Sequence, residues 1–178
     1  MEEIKEVKKR KPKKLPVAIS EEEFRELVRV AKMKHHKLAF LLAFESGLRI
    51  YEITNLEQRD FDLKEKKIFI RQGKGGKDRI VPLPKHFKEE YIRLIPLRCG
   101  ERALEYALRR CAVKTKLIEK KPSVHFHSLR HGFGSHLANK GMPIHHIRTL
   151  MGHSNISTTN VYLELNPTQA LKSMEDLF

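Results

Sequence analysis

Apolar residues recur at a helical spacing along most of the chain, and this pattern predicts a mainly helical fold. In "AISEEEFRELVRVAK", the apolar residues between Phe24 and Ala31 repeat at intervals of three and four. Ser20 and Glu23 have the spacing of a capping box, in which each side chain accepts a hydrogen bond from the backbone of the other residue. A first helix is therefore predicted to begin after Ser20.

The same spacing predicts helices along much of the remaining chain. A nearly all-apolar helix is expected over residues 38–44, ending near Gly47, and a helical pattern resumes over residues 50–56. Further helices are predicted over residues 85–94, 101–116, 128–139, 143–150 and 167–177, with a short one near Ser157. Gly100, Gly141 and Gly152 are taken to mark helix ends, where glycine often adopts the left-handed conformation.

One central stretch departs from the helical period. "KKIFIRQGKGGKDRIVPL" contains two β-rich segments, residues 67–71 and 79–83, on either side of a glycine-rich loop. This arrangement is typical of a β-hairpin. The predicted fold class is therefore mainly α with a small antiparallel β-sheet (α+β), forming one domain over residues 17–178.

The net charge of the chain indicates what kind of partner it binds. Its 36 Lys and Arg residues against 22 Asp and Glu residues leave a formal net charge of +14. Such a charge attracts polyanions, so a nucleic acid is the leading expected partner, although ribosomal proteins, chromatin proteins and lipid-surface binders share such a charge. Residues 1–16 are rich in lysine and have little to bury, which predicts a flexible basic arm whose Lys11, Lys13 and Lys14 contact DNA. A solvated tail and a nuclear-localisation signal are the alternatives for this arm.

Composition also excludes several classes of protein. Cys99 and Cys111 form no Cys-x-x-Cys pair, so a disulfide framework and a zinc knuckle are not indicated. No apolar run approaches the ~20 residues that span a bilayer, and the charged N-terminus does not resemble a signal peptide. A cytoplasmic location is expected, without membrane association.

Two features of the sequence could suggest a cofactor or metal site, but each lacks residues or spacings that such a site requires. "GKGGKDR" lacks the Ser or Thr of a nucleotide-binding phosphate loop, and it lies between two strands instead of between a strand and a helix. The chain contains ten histidines, but their spacings follow no known zinc pattern. We therefore predict no cofactor and no metal.

The segment "HSLRHGFGSHL" places His127 and Arg130 three residues apart, on one face of a predicted helix, with His131 turned elsewhere. An imidazole and a guanidinium on one face can bind the same phosphate, since the planar arginine fork contacts two phosphate oxygens. A capping histidine beside a surface arginine is the simpler alternative. Arg49 and His153 each follow a glycine at a predicted helix end.

Four motifs, "SGLRIYEI", "GKGGKDRIVPL", "HSLRHGFGSHL" and "LMGHSNISTTNVY", resemble the four blocks of the tyrosine recombinase (phage integrase) family, especially its Xer-like members. The resemblance covers residues 20–162, in order and at a similar spacing. It implies a catalytic set in which arginines bind the scissile phosphate, a hairpin lysine is the general acid, histidines hydrogen-bond the phosphate or transfer protons, and a tyrosine is the nucleophile. These residues are Arg49, Arg130, Lys74, His127, His153 and Tyr162. Glu52 matches an acidic position that supports the first arginine, and Lys77, Arg79 and His131 are assigned to DNA binding.

The residue types suit this chemistry. A phenol of pKa ~10 is a poor nucleophile at neutral pH, so arginines and a protonated histidine are expected to favour the phenolate and to stabilise the charge that grows on the phosphoryl oxygens. Because the 3′-phosphotyrosine conserves the energy of the broken bond, cleavage and rejoining need neither ATP nor a metal. The three other tyrosines, Tyr51, Tyr91 and Tyr106, are interpreted as packing residues.

The resemblance predicts a site-specific DNA recombinase or integrase that acts as a homotetramer on DNA. An accessory DNA-binding protein of the same fold and a type IB topoisomerase-like relaxing activity are the alternatives. Family members carry a helical domain before the catalytic one, so the chain is either an excised catalytic fragment or a natural minimal recombinase. The apolar stripe of residues 167–177 is expected to dock on a neighbouring protomer or on its own domain.

Overall fold

The computed structural model describes residues 16–71 and 78–152. Within these two ranges the chain forms seven α-helices and three strands: α1 (Glu21–Val30), α2 (Lys34–Glu45), α3 (Ile50–Thr54), β1 (Phe61–Asp62), β2 (Lys67–Ile70), β3 (Arg79–Pro82), α4 (Glu101–Lys114), α5 (Leu117–Lys120), α6 (His127–Asn139) and α7 (Ile144–Met151). No helix in these ranges is long and apolar enough to cross a bilayer. The predicted fold class is confirmed.

The three strands form one antiparallel sheet in the order β1-β2-β3. Ile68 pairs with Val81 and Ile70 pairs with Arg79, and the side chains of Ile68, Ile70 and Val81 are buried. Alternation along β3 therefore directs Arg79 toward the same face as Val81, into the protein. The two strands of the predicted hairpin are confirmed, β1 was not predicted, and residues 72–77 lie outside the described ranges.

The predicted capping box at the start of α1 is present. The Ser20 backbone N–H donates to Glu23 Oε2 over 2.8 Å, and the Glu23 backbone N–H donates to Ser20 Oγ over 3.3 Å. Helix α2 forms the centre of the core, because its residues 38–44 are all buried. Phe24 of α1 stacks on Phe44 of α2 with 4.0 Å between the ring centroids.

Helix α6 packs closely against α2 and against the chain that precedes α1. A Cβ atom added to Gly132 would lie 2.5 Å from the Ile19 carbonyl oxygen and 2.6 Å from a Phe44 ring carbon, so this approach requires glycine. The Ile19 N–H donates to the Ser128 carbonyl over 3.3 Å. Lys121 Nζ also donates a hydrogen bond to the Ala18 carbonyl oxygen over 2.7 Å. Residues 18–19 are thus fixed beside the first turns of α6.

A second apolar cluster joins α6 to α7 and includes Phe133, Ile147 and Met151. Gly47, two residues beyond α2, has a φ of +66°, and a Cβ atom there would lie 2.4 Å from Phe133 Cδ1. Glycine is therefore required at this position for both its backbone conformation and its lack of a side chain. The turn from α2 into α3 passes directly over α6.

Several element boundaries differ from the predictions. Residues 85–94 contain a 3₁₀ helix over Glu89–Leu94 instead of an α-helix. The helix predicted over residues 101–116 corresponds to α4, which ends at Lys114, and α5 was not predicted. Gly100 is the N-cap of α4, whereas Gly141 and Gly152 follow α6 and α7 with positive φ, as predicted. The helices predicted near Ser157 and over residues 167–177 lie outside the described ranges, and the single domain stays a prediction.

Candidate active site

The described residues include six of the predicted site residues: Arg49, Glu52, Arg79, His127, Arg130 and His131. The other seven lie outside the described ranges: Lys11, Lys13, Lys14, Lys74, Lys77, His153 and Tyr162. Arg49 is the N-cap of α3, Arg79 is the first residue of β3, and Arg130 is in the first turn of α6. Three separate elements therefore each contribute one arginine to the site.

The three arginines meet around the carboxylate of Glu52, and we call these four residues the arginine cluster. Arg49 donates to Glu52 Oε1 from Nη1 over 2.9 Å and to Oε2 from its backbone N–H over 2.7 Å. Arg79 donates to both oxygens, from Nη1 over 2.8 Å and from Nη2 over 2.7 Å. Arg130 Nη1 lies 3.8 Å from Glu52 Oε2. One carboxylate thus holds the arginine cluster together.

Glu52 is ionised despite its burial. Its side chain is 4% exposed, and burial alone would raise its pKa above the ordinary 4.5. The hydrogen bonds and charge of Arg79, the backbone N–H of Arg49 and the charge of Arg130 outweigh that effect and lower the pKa to about 2. With one negative charge among three positive ones, the arginine cluster keeps a net positive charge.

The arginine cluster also holds the end of α7, where backbone carbonyls have no partner within the helix. Each of three successive carbonyls accepts a hydrogen bond from a different arginine: Leu150 from Arg79 Nε over 3.0 Å, Met151 from Arg130 Nη2, and Gly152 from Arg49 Nη2 over 3.3 Å. We call these three residues the α7 terminus. Residue 153, predicted to be catalytic, follows directly in the sequence.

The two predicted phosphate-binding arginines differ in accessibility. The Arg130 side chain is 1% exposed, and its Nη1 donates to the Gly47 carbonyl. The Arg49 side chain is 22% exposed. An anion approaching from solvent therefore meets the Arg49 guanidinium more readily than the Arg130 guanidinium.

The histidines lie beside the arginine cluster. The rings of His127 and His131 contact edge to face, with centroids 4.6 Å apart, so His131 shares the face of His127 and the prediction that it turns elsewhere is wrong. Burial, followed by the charges of His131, Arg130, His125 and Arg49, lowers the pKa of His127 to about 3. Burial, followed by the charges of His125 and Arg130, lowers that of His131 to about 4. His127 is therefore neutral at pH 7. The protonated histidine expected from the sequence was not assigned to one residue, and His153 lies outside the described ranges, so that expectation stays a prediction.

Comparison with known proteins identifies the family to which this chain belongs. The model of the phage integrase family matches residues 18–110 and 98–169. The chain belongs to the phage integrase family. It is 35% identical to the tyrosine recombinase XerA of Thermococcus kodakarensis over 92% of its own length and 64% of that protein. It is 32% identical to XerA of Pyrococcus horikoshii, over 92% of this chain and 62% of that protein. The chain thus spans less than two thirds of the length of these curated relatives.

Solved structures of other phage integrase family members share the fold. A crystal structure of XerA recombinase superposes with a TM-score of 0.70 at 28% identity, covering 93% of this chain and 66% of that one. The XerH site-specific recombinase bound to its palindromic difH substrate, in a post-cleavage complex, superposes with a TM-score of 0.73 at 22% identity, covering 91% and 53%.

Two features of this phage integrase family site were not predicted from the sequence. Arg79 was assigned to DNA binding, which stays a prediction, but its side chain is only 8% exposed and lies within the arginine cluster. A sequence signal for its burial was available. Val81, an apolar residue two positions later on the same strand, is expected to point inward, and alternation then directs Arg79 inward as well. The backbone carbonyls of Gly47 and of the α7 terminus have no sequence signal, because any residue type supplies a carbonyl.

The structure also corrects two of the tyrosine interpretations. Tyr91 is buried, as a packing residue should be, but Tyr51 and Tyr106 are 60% and 64% exposed. Among the described residues, no group of three or more His, Cys, Asp and Glu side chains is arranged to hold a metal ion.

Proposed function

We propose that this chain acts on double-stranded DNA as a site-specific recombinase that cleaves and rejoins strands through a covalent 3′-phosphotyrosine at Tyr162. The observation that carries the proposal is the arginine cluster, in which three guanidinium groups converge beside the point where the chain continues to His153 and Tyr162. Membership of the phage integrase family and the printed names of the relatives support the same activity.

In the proposed cleavage step, the phenolic oxygen of Tyr162 attacks the phosphorus atom of the scissile phosphodiester. A phosphorus–oxygen bond to the tyrosine forms, and the bond from phosphorus to the 5′ oxygen breaks. The phenolic proton passes to a base, and the leaving 5′ oxygen takes a proton from Lys74. The reverse reaction with the 5′-hydroxyl of another strand rejoins the DNA without ATP.

The described residues support distinct roles in this step. Arg49, the more exposed arginine, binds a phosphate oxygen directly, while buried Arg130 contributes its charge from a less polar environment, where electrostatic stabilisation of the transition state is stronger. His127 is neutral at pH 7, so its imidazole has an acceptor nitrogen available for the phenolic proton. Glu52 keeps Arg49 and Arg130 together by offsetting their mutual repulsion.

A nicked DNA duplex tests the proposal, because the short strand released by cleavage diffuses away and leaves the protein covalently attached. We expect wild type to form an adduct that denaturing gel electrophoresis resolves, on native sites or on a random-sequence library. Tyr162→Phe, which lacks the attacking oxygen, should form none. Tyr51→Phe and Tyr106→Phe remove hydroxyls from tyrosines that are exposed in the described part of the chain, and both variants should still form the adduct. An adduct that survives Tyr162→Phe would refute the proposal.

Two further assays address the finer predictions. Recombination between two sites, measured beside plasmid relaxation, separates a recombinase from a topoisomerase-like enzyme, and an accessory DNA-binding protein would perform neither reaction. Sedimentation on DNA with paired sites tests the proposed homotetramer, since monomers alone would contradict it. The cytoplasmic location and the docking of residues 167–177 on a neighbouring protomer stay predictions.

A further inference from the structure

Arg79 links two parts of the candidate active site through one buried side chain. Its guanidinium binds both oxygens of Glu52 in a fork, and its Nε donates to the Leu150 carbonyl. All three nitrogen atoms of the guanidinium are therefore engaged within the protein. The same side chain passes close to Gly152, where an added Cβ atom would lie 2.9 Å from Arg79 Cδ.

Both partners of Arg79 lead directly to predicted catalytic groups. Glu52 fixes Arg49 through its guanidinium and through its backbone N–H, at 2.9 and 2.7 Å. Leu150 begins the α7 terminus, from which the chain continues toward His153 and Tyr162. A change at Arg79 would therefore shift the phosphate-binding arginine and the α7 terminus relative to each other.

We propose that Arg79 is a positioning residue for strand cleavage, setting the alignment of the α7 terminus with Arg49. This inference rests on the proposed function and adds to it a residue that acts without contacting DNA. Its near-complete burial and its engaged donors argue for this role over the direct DNA contact predicted from the sequence. Alignment matters because a misplacement of about 1 Å can lower a rate by about 100-fold.

The test measures the single-turnover rate of adduct formation on a nicked duplex, at saturating DNA, together with the dissociation constant for the same DNA. Arg79→Met keeps much of the side-chain volume but removes the donors, and we expect its rate to fall by about 100-fold. Its dissociation constant should change by less than about threefold, because no phosphate contact is lost. A weakened affinity together with a saturated rate close to that of wild type would overturn the proposal in favour of direct DNA contact.

Arg71→Met is the matched control. Arg71 follows β2, pairs with Asp60 over 3.0 Å and is 57% exposed, so this variant also removes an arginine–carboxylate pair of the same sheet. We expect its single-turnover rate to stay close to that of wild type. An equal loss of rate in both variants would show that any damage to the sheet is sufficient, and this result would also overturn the proposal.

A second substrate distinguishes an effect through the α7 terminus from an effect through Lys74, because Arg79 also lies five residues after Lys74 in the sequence. Replacing the bridging 5′ oxygen with sulfur gives a thiol leaving group of pKa about 8.5, which departs without a general acid. If Arg79 acts through the α7 terminus and Arg49, this substrate should leave the deficit of Arg79→Met unchanged. Full rescue would assign the effect to Lys74 and overturn the proposal.

Arg79→Lys keeps the charge but cannot form the fork to Glu52, and it serves as the test if Arg79→Met fails to fold. We expect a rate about tenfold below that of wild type with unchanged affinity. A wild-type rate for Arg79→Lys would overturn the inference. Absence of an adduct with the wild-type protein, by contrast, would contradict the proposed function itself.

Discussion

Glu52 shows at the residue scale how three arginines can lie together inside a protein. Removing a charged group from water is unfavourable unless a partner compensates it, and like charges at short range repel. Glu52 offsets both effects. Its two oxygens accept hydrogen bonds from Arg49 and Arg79, and its negative charge lies 3.8 Å from the Arg130 guanidinium. The stability of this site should therefore depend on the ionisation of one carboxylate.

The pKa of Glu52 predicts acid sensitivity in a defined range. It falls from the ordinary 4.5 to about 2 on folding, so between these values the unfolded chain binds more protons. The free energy of unfolding should thus decrease as pH falls from about 4.5 toward 2. Glu52→Gln should lower it by about 3 to 5 kcal/mol at pH 7, since breaking a buried pair strands charged groups, and should flatten this part of the pH profile. Denaturant unfolding at a series of pH values measures both effects, and parallel profiles for variant and wild type would contradict the prediction.

His127 predicts a second dependence that begins at higher pH. Its pKa falls from 6.5 to about 3 on folding, so the unfolded chain binds the extra proton between these values. Stability should therefore decrease as pH drops below 6.5, and His127→Gln, which does not titrate, should make that decrease shallower. Equal slopes for His127→Gln and wild type would rule out this linkage.

At the scale of the elements, the turn between α2 and α3 depends on a glycine. An alanine at Gly47 would need a left-handed backbone, with φ at +66°, and would place its Cβ atom 2.4 Å from Phe133 Cδ1, where the two carbon atoms overlap. Strain and overpacking together should lower the free energy of unfolding by about 2 to 4 kcal/mol. Gly100→Ala is the control, because nothing lies within 4 Å of its added Cβ and the expected change is below about 1 kcal/mol. Chemical denaturation compares the two, and similar losses would contradict the assigned role of Gly47.

Local patterns predicted the elements well where the local signal was strong. The capping box at Ser20 and the periodicity of α1, α4, α6 and α7 were sufficient to place these helices within a few residues. In residues 85–94 the apolar spacing suggested an α-helix, but Phe87 and Tyr91 each close a turn with an i→i+3 hydrogen bond and contact each other with ring centroids 5.9 Å apart. Turns of the 3₁₀ type bring the same aromatic rings together, so spacing alone does not distinguish the two helices.

The arginine cluster was only partly predictable for a different physical reason. The family motifs identified Arg49, Glu52 and Arg130, because each motif is a short sequence around a functional side chain. Arg79 meets Glu52 and the α7 terminus across 27 and 71 residues of sequence, and its β-strand alternation gives only its direction, not its partners. Such contacts arise from tertiary packing, which no local pattern encodes.

At the scale of the whole molecule, the net charge of +14 predicts DNA binding that depends strongly on salt. The logarithm of the affinity should fall linearly with the logarithm of the salt concentration, with a slope of about −0.9 per phosphate neutralised. Replacing Lys11, Lys13 and Lys14 with alanine should reduce the slope by about 2 to 3 if each contacts a phosphate. Binding titrations over a range of salt concentrations provide the slopes. The controls are alanine substitutions of three exposed lysines within the described residues: Lys64, Lys85 and Lys88. An arm that does not contact DNA would give the control slope.

Because residues 18–19 are anchored beside α6, the charged residues that precede them in the sequence are attached at a fixed point on the protein. Lys121 and the Ser128 carbonyl hold this part of the chain within one turn of His127 and Arg130, so any group attached before residue 16 is tethered at that edge. A tethered segment experiences an effective concentration set by the length of its linker, which can reach the millimolar range for short linkers. Lengthening the chain just before residue 16 should therefore lower the effective concentration of the basic side chains at DNA bound as proposed, while leaving the distances within the arginine cluster unchanged.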